Sequence, residues 1–168
     1  HKEMIDAVEY AIDSGINYFD TARMYGDGLS EIHTGAVLRE LDKTDLIIGT
    51  KVRISGDEFK DISRTIENQI DNSLKRLGID TIDIVYTHNT IGAERNVSSG
   101  TLSVEDLSSI VQVFESAVAS GKLQYWGFNG LGQTDSVKEA LRRYSPSGIH
   151  TCYNTVSYTH LRAHETSL

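Results

Sequence analysis

Asn17-Tyr18-Phe19-Asp20-Thr21-Ala22-Arg23-Met24-Tyr25-Gly26 is a short apolar run that ends in a carboxylate and then, after a brief polar turn, sets a tyrosine beside a glycine. The next two apolar runs end in the same manner. Leu46–Thr50 is followed by Lys51, and the run through Asp83 to Thr87 is followed by His88. Three successive strand-like segments thus each deliver an ionisable group at the C-terminal end. In a parallel α/β barrel, the loops at that end of the strands build the active site. Asp20, Tyr25, Lys51 and His88 therefore read as one constellation.

Outward from this stretch, helix and strand patterns alternate. Met4, Ile5, Val8, Ala11 and Ile12 lie at the spacing of an amphipathic helix, with Gly15 after it. The strand that carries Asp20 is expected over Ile16–Asp20. Ser30 is placed to cap a helix with apolar positions Ile32, Val37, Leu38 and Leu41. Leu46–Thr50 reads as a strand buried on both faces. Ile62, Ile66, Ile70, Leu74 and Leu77 mark a long helix stopped by Gly78, and Ile82–Thr87 is the third strand. Ile91 to Leu102 is a polar loop without periodicity, of the kind that is often functional or mobile. Ser103 opens another helix with Asp106 three residues on, as in a capping box, and Gly121 closes it. Leu123–Phe128 is a fourth strand, a short helix ends before Pro146, and Ile149–Tyr153 is a fifth strand.

Five α-β repeats predict a mainly parallel sheet covered by helices in one domain. A doubly wound nucleotide fold would carry Gly-x-Gly-x-x-Gly after its first strand, and no such match exists. The glycine-rich loop Gly127-Phe128-Asn129-Gly130-Leu131-Gly132 follows the fourth strand with different spacing. Polar groups repeated at strand ends favour the barrel. Five strands do not close a barrel of eight, so the expectation is a partial (β/α)8 barrel whose first strand and last two units are missing.

Composition fits that class. The 168 residues are 39% hydrophobic, enough for a sizeable core. No apolar stretch approaches the roughly 20 residues of a membrane helix, and there is no basic-then-apolar leader. With one cysteine, Cys152, no internal disulfide can form, which suits a reducing cytoplasm. A net charge of −8 argues against nucleic acid or an anionic membrane as the main partner.

The four groups suit one chemistry. A phenol is a poor acid near neutrality unless its phenolate is stabilised, and a nearby ammonium does that. A carboxylate keeps the ammonium charged and fixed, and a histidine can hydrogen-bond a substrate carbonyl. Together they fit carbonyl reduction, with a cofactor supplying hydride and Tyr25 the proton, or alcohol oxidation in reverse. Each residue alone has an ordinary structural reading: a turn carboxylate, a loop aromatic, a solvated lysine, a strand-end histidine. Their joint placement at consecutive strand ends carries the functional reading.

Several motifs in register resemble the aldo-keto reductases: Asn17 to Ala22, Tyr25-Gly26, Ser30-Glu31, Gly49-Thr50-Lys51, Ser73 to Leu77 running into Ile84 to His88, and Gly121-Lys122-Leu123 before Trp126-Gly127. The resemblance spans roughly residues 3 to 155. It implies an eight-stranded barrel that uses NADP or NAD without a Rossmann domain, with Asp20, Tyr25 as proton donor, Lys51 and His88 as its tetrad. Cofactor contacts are implied at Asn129 and Gly130, where many members have Ser-Asn, and at His150, where glutamine is common. His88-Asn89 and Phe128–Gly132 are similar to members near the sugar dehydrogenases.

The substrate implied is a small carbonyl or alcohol, with oligomeric state open. Two rivals remain: a barrel aldolase or lyase in which Lys51 forms a Schiff base, and a non-catalytic subunit that holds the cofactor without turnover. The family's usual grip on the cofactor's phosphates lies beyond Asn154, so the chain alone is expected to be inactive. Residues 1–155 are expected to form the partial barrel. Residues 156–168 resemble translated adapter sequence and are expected to be a non-native tail, so His160, His164 and Glu165 are expected to hold no metal.

Overall fold

A computed structural model describes residues 2–41 and 46–152. The chain folds as helix α1 (Lys2–Asp13), strand β1 (Tyr18–Asp20), α2 (Leu29–Leu41), β2 (Ile47–Val52), a 3-10 helix (Gly56–Lys60), α3 (Ile62–Leu77) and β3 (Ile82–Thr87). Then follow β4 (Ile91–Gly92), β5 (Leu102–Ser103), α4 (Asp106–Ala119), β6 (Leu123–Asn129), α5 (Thr134–Tyr144) and β7 (Gly148–His150). Five strands form one sheet in the order β1-β2-β3-β6-β7, and every pairing is parallel. The expected half-barrel of parallel strands with covering helices is what the chain forms. The tail 156–168, with His160, His164 and Glu165, lies outside the described residues.

The core lies between the sheet and α3 and α4. Ile66, Ile70 and Leu77 meet Leu107, Ile110 and Phe114, and all six close over Ile48, Val52, Val85, Trp126 and Phe128 from the strands. Trp126 stacks on Phe114 with centroids 6.0 Å apart, and its indole Nε1 donates to Glu115 Oε1 at 2.7 Å. An indole buried this way keeps its apolar body and its N–H both satisfied. The α1 stripe faces inward but stays half-buried, and no residue of that helix is fully covered.

Local chemistry explains the element ends. Asp61 caps α3 by accepting from Arg64 N at 3.1 Å, and Gly78 ends it in the left-handed region at φ 68°. That is the conformation glycine adopts without a Cβ penalty. Gly35 serves a different need: a Cβ there would collide with the Leu77 carbonyl, so glycine lets α2 lie directly against the end of α3.

Several boundaries depart from the sequence expectation. Ile16 is not in β1, because its N–H closes the end of α1 on the Ala11 carbonyl at 3.0 Å and its side chain is exposed. Ser30 is not a cap. It sits inside α2, and its hydroxyl accepts from Thr21 Oγ1 at 2.7 Å. The last strand is Gly148–His150 rather than Ile149–Tyr153, and Tyr153 lies outside the described residues.

The 91–102 loop is pinned rather than mobile. Ile91 and Leu102 are fully buried and pair β4 with β5 in parallel, while Asn96 and Thr101 bridge within the loop. Ser103 does not open α4, since it belongs to β5 and the helix begins at Asp106, but the expected reciprocal bonds form just ahead of it: Ser103 N donates to Asp106 Oδ2 at 3.0 Å and Asp106 N to Ser103 Oγ at 3.2 Å. The Asp106 carboxylate also takes a fork from Arg95, whose guanidinium lies over the Phe59 ring. Burial opposes the Asp106 charge, but the Arg95 and Ser103 donors outweigh it and hold the carboxyl below its usual range.

Candidate functional site

Strand alternation sorts the side chains of β2. Ile48 and Val52 enter the core, and Lys51 leaves on the opposite, open face. Lys51 is nevertheless 1% exposed, among the most enclosed side chains of the protein. A buried ammonium needs partners, and it has two: Asp20 Oδ2 at 2.5 Å and the Thr21 carbonyl at 2.9 Å. Its Nζ also lies 5.0 Å from the centroid of the Tyr25 ring, a cation–π contact. Asp20 is set opposite this lysine because β1 and β2 pair Asp20 with Gly49, two residues before it on the same face.

Tyr25 comes from the loop between β1 and α2, where Tyr25 N bonds the Ala22 carbonyl at 3.0 Å. Its ring stands edge-on to His88 with centroids 5.9 Å apart and an interplanar angle of 84°. His88 is anchored by its backbone N–H, which donates to Val52 O at 2.7 Å. Its Nδ1 is buried with no hydrogen-bond partner. Burial, then the positive charges of Lys51 and Arg53, push the imidazole below its ordinary pKa, so the ring is neutral near pH 7. A histidine depressed in the folded state binds its proton more readily when unfolded. Stability should therefore fall as pH drops through about 6.5. Urea midpoints measured from pH 8 to pH 5 should show this slope, and His88→Gln should flatten it.

The four predicted residues Asp20, Tyr25, Lys51 and His88 are thus brought into one connected group. The three residues expected at the cofactor fall on the neighbouring strand ends. Gly130 N donates to the His150 carbonyl at 2.9 Å, and the His150 ring lies 5.5 Å from Tyr86. Asn129 is 7% exposed and its amide is spent on backbone, donating to His88 O at 3.3 Å and accepting from Leu131 N at 3.1 Å. In this arrangement Asn129 holds the His88 backbone rather than reaching outward.

Sequence reasoning missed the supports. Tyr18 shares a face with Asp20 by strand alternation, a signal the i, i+2 spacing contained. Its hydroxyl lies over Gly49, where no side chain competes for the space. Burial first, with Tyr86 and Asp20 beside it, raises the Tyr18 phenol well above its ordinary pKa. Two buried carboxamides grip the chain after Lys51. Gln69 accepts from Arg53 N at 2.9 Å and donates to Arg53 O at 2.7 Å, and Asn89 holds Ile54 N and O at 2.9 and 2.8 Å. Nothing in sequence spacing alone marks such long-range forks.

Among the described residues, no helix is long and apolar enough to cross a membrane, and no group of three His, Cys, Asp or Glu side chains could hold a metal ion.

A family model described as the aldo/keto reductase family matches residues 1–168. The chain is 28% identical to an L-galactose dehydrogenase of Arabidopsis thaliana over 168 residues, 99% of this chain and 49% of that protein. It is 30% identical over 129 residues to a putative voltage-gated potassium channel subunit beta of Schizosaccharomyces pombe, covering 73% of this chain and 34% of that one. A crystal structure of an aldo-keto reductase from Klebsiella pneumoniae in complex with NADPH superposes with a TM-score of 0.70 at 25% identity, over 96% of this chain and 53% of that one. The chain spans about half the length, or less, of the curated relatives it matches.

Proposed function

The chain belongs to the aldo/keto reductase family, and from that premise we propose that its site carries out nicotinamide-dependent carbonyl reduction or alcohol oxidation with Tyr25 as the proton donor. The observation that carries this reading is the Asp20–Lys51–Tyr25–His88 group on one open sheet face. The residues fit a nicotinamide and substrate between them: His88 carries an unsatisfied nitrogen, and Tyr25 is 41% exposed beside it. Gly130 and His150 are proposed to line the cofactor ring. NADP or NAD, when bound, supplies hydride chemistry.

The chain's own residues do the rest. Lys51, paired with Asp20, sets its positive charge 5.0 Å from the centroid of the Tyr25 ring, where it stabilises negative charge that develops on the phenol oxygen as the proton leaves. The neutral His88 ring donates a hydrogen bond to the substrate oxygen and aims it at the Tyr25 hydroxyl. Tyr25 Oη then passes its proton to that oxygen as negative charge develops there. Beneath the group, the Tyr18 hydroxyl lies over Gly49, where a side chain would collide with it.

Lys51→Met tests the arrangement. In the oxidation direction the pH–rate profile should move to alkaline pH, or activity should vanish. An unshifted profile with normal rates would leave Lys51 a structural charge. The salt bridge to Asp20 disfavours a Schiff-base role, which needs a free amine. Borohydride treatment with substrate should leave the chain unlabelled. The resemblance to a channel beta subunit supports a second reading, a cofactor-holding partner without turnover. Steady-state oxidation of NADPH by an aldehyde would reject it.

A further inference from the structure

We propose that Arg53 makes this site selective for carbonyl or alcohol substrates that also carry a carboxylate, which the guanidinium grips beside His88. The inference rests on the oxidoreductase reading and names the substrate class of that same site.

Arg53 directly follows β2, two residues beyond Lys51, and its guanidinium reaches the Ser99–Gly100 end of the 91–102 loop. The bond from His88 N to Val52 O places Arg53 alongside His88. Its backbone is unusually fixed, because the Gln69 carboxamide takes both its N–H and its C=O and Asn89 does the same for Ile54. The Cα is therefore held while the side chain is left for other use. The guanidinium's own bond is a single long one, from Nη2 to the Ser99 carbonyl at 3.4 Å. A guanidinium offers five donors in a rigid fork. Among the described residues, none of the ion pairs involves Arg53.

Of the other cations near the site, Lys51 is fully committed and Arg23 only loosely held. Lys51 is paired with Asp20, while Arg23 lies 3.8 Å from Glu58, beyond hydrogen-bond length, with its Nε buried and unpartnered and so not turned outward to a ligand. Among the described residues, Arg53 is thus a positive group beside His88 with no ion pair of its own, in a chain of net charge −8. Its field reaches the reacting position, since it is among the charges that hold His88 neutral. One uncommitted guanidinium matches one negative charge. A planar carboxylate accepts its fork in a bidentate pair, and a single guanidinium balances its one charge but not that of a phosphate dianion.

The test compares kcat/KM for 4-oxobutanoate with that for its uncharged methyl ester, in a barrel completed to its relatives' length and in its Arg53→Gln and Arg53→Lys variants. Calorimetry of succinate against succinamide gives a readout without turnover. The completed barrel should favour 4-oxobutanoate by roughly 10–100-fold, the range for a hydrogen bond to a charged group. R53Q should bring the ratio near unity, and R53K should retain part of it. A ratio that R53Q leaves intact would overturn the proposal, as would a stronger preference for a phosphorylated aldehyde, or an R53Q defect confined to cofactor affinity. If no aldehyde is turned over, the oxidoreductase reading fails, and succinate decides separately. Binding lost in R53Q supports carboxylate recognition, and binding retained in R53Q overturns it.

Discussion

Tyr25→Phe should lower turnover by roughly 10²–10⁴-fold, the usual worth of a positioned general acid, while leaving cofactor affinity nearly unchanged. The substitution removes one oxygen and keeps the ring. The ring makes the contacts the structure records: the edge-on packing against His88 and the cation–π contact with Lys51. Both survive in phenylalanine, so the site should keep its shape and lose its proton. Solvent access sharpens the expectation, because Tyr25 is 41% exposed and its hydroxyl props up nothing in the core. The measurement is single-turnover reduction of an aldehyde, with cofactor binding followed separately by fluorescence. A variant that retains near-normal turnover would reject Tyr25 as the acid. One that loses cofactor binding as well would point to a packing role.

The sheet and its site were legible in the sequence for the same physical reason. A parallel strand buried against helices must be apolar, so the polar group that ends it stands out. That is why Asp20, Lys51 and His88 could be read, each closing an apolar run. Tyr25 could be read because a loop tyrosine follows Asp20 closely. The 91–102 loop was opaque, since Ile91 and Leu102 are single apolar residues in a polar stretch and show no period. What orders that loop is long-range: Asn89 Nδ2 bonding the Gly100 carbonyl at 2.6 Å and the Arg95 fork on Asp106. The partners of the Asn129 amide were hidden for a related reason. The family resemblance suggests a cofactor contact there, while its partners within the fold, His88 O and Leu131 N, are visible only once β3 and β6 are side by side. Strand ends reveal which groups are present; the neighbouring strand decides what they are free to do.

The largest stability effect is expected at a residue far from the reacting groups. Glu31 on α2 is completely buried, and its carboxylate takes Arg76 Nε at 2.5 Å and Thr50 Oγ1 at 2.6 Å. These bonds tie α2 and α3 to β2, one residue before Lys51. Arg76 is 26% exposed, so the two partners are unequal. Removing Glu31 leaves a cation that can turn to water, but Arg76→Met leaves a carboxylate with no route out. Breaking a buried pair that way costs about 3–5 kcal/mol, because the remaining charge stays desolvated. Domains are stable by only about 5–15 kcal/mol, so the loss is a large share of the whole. Urea unfolding followed by Trp126, the single tryptophan, should show the midpoint fall steeply in Arg76→Met. The double variant Arg76→Met with Glu31→Leu separates the charge from the packing. If the stranded carboxylate is the cause, the second substitution should recover most of the loss, since an apolar replacement of a buried pair is often neutral or better. A double variant as unstable as the single one would show that the ion pair's geometry, rather than its unpaired charge, holds α2 and α3 on the strand that positions Lys51.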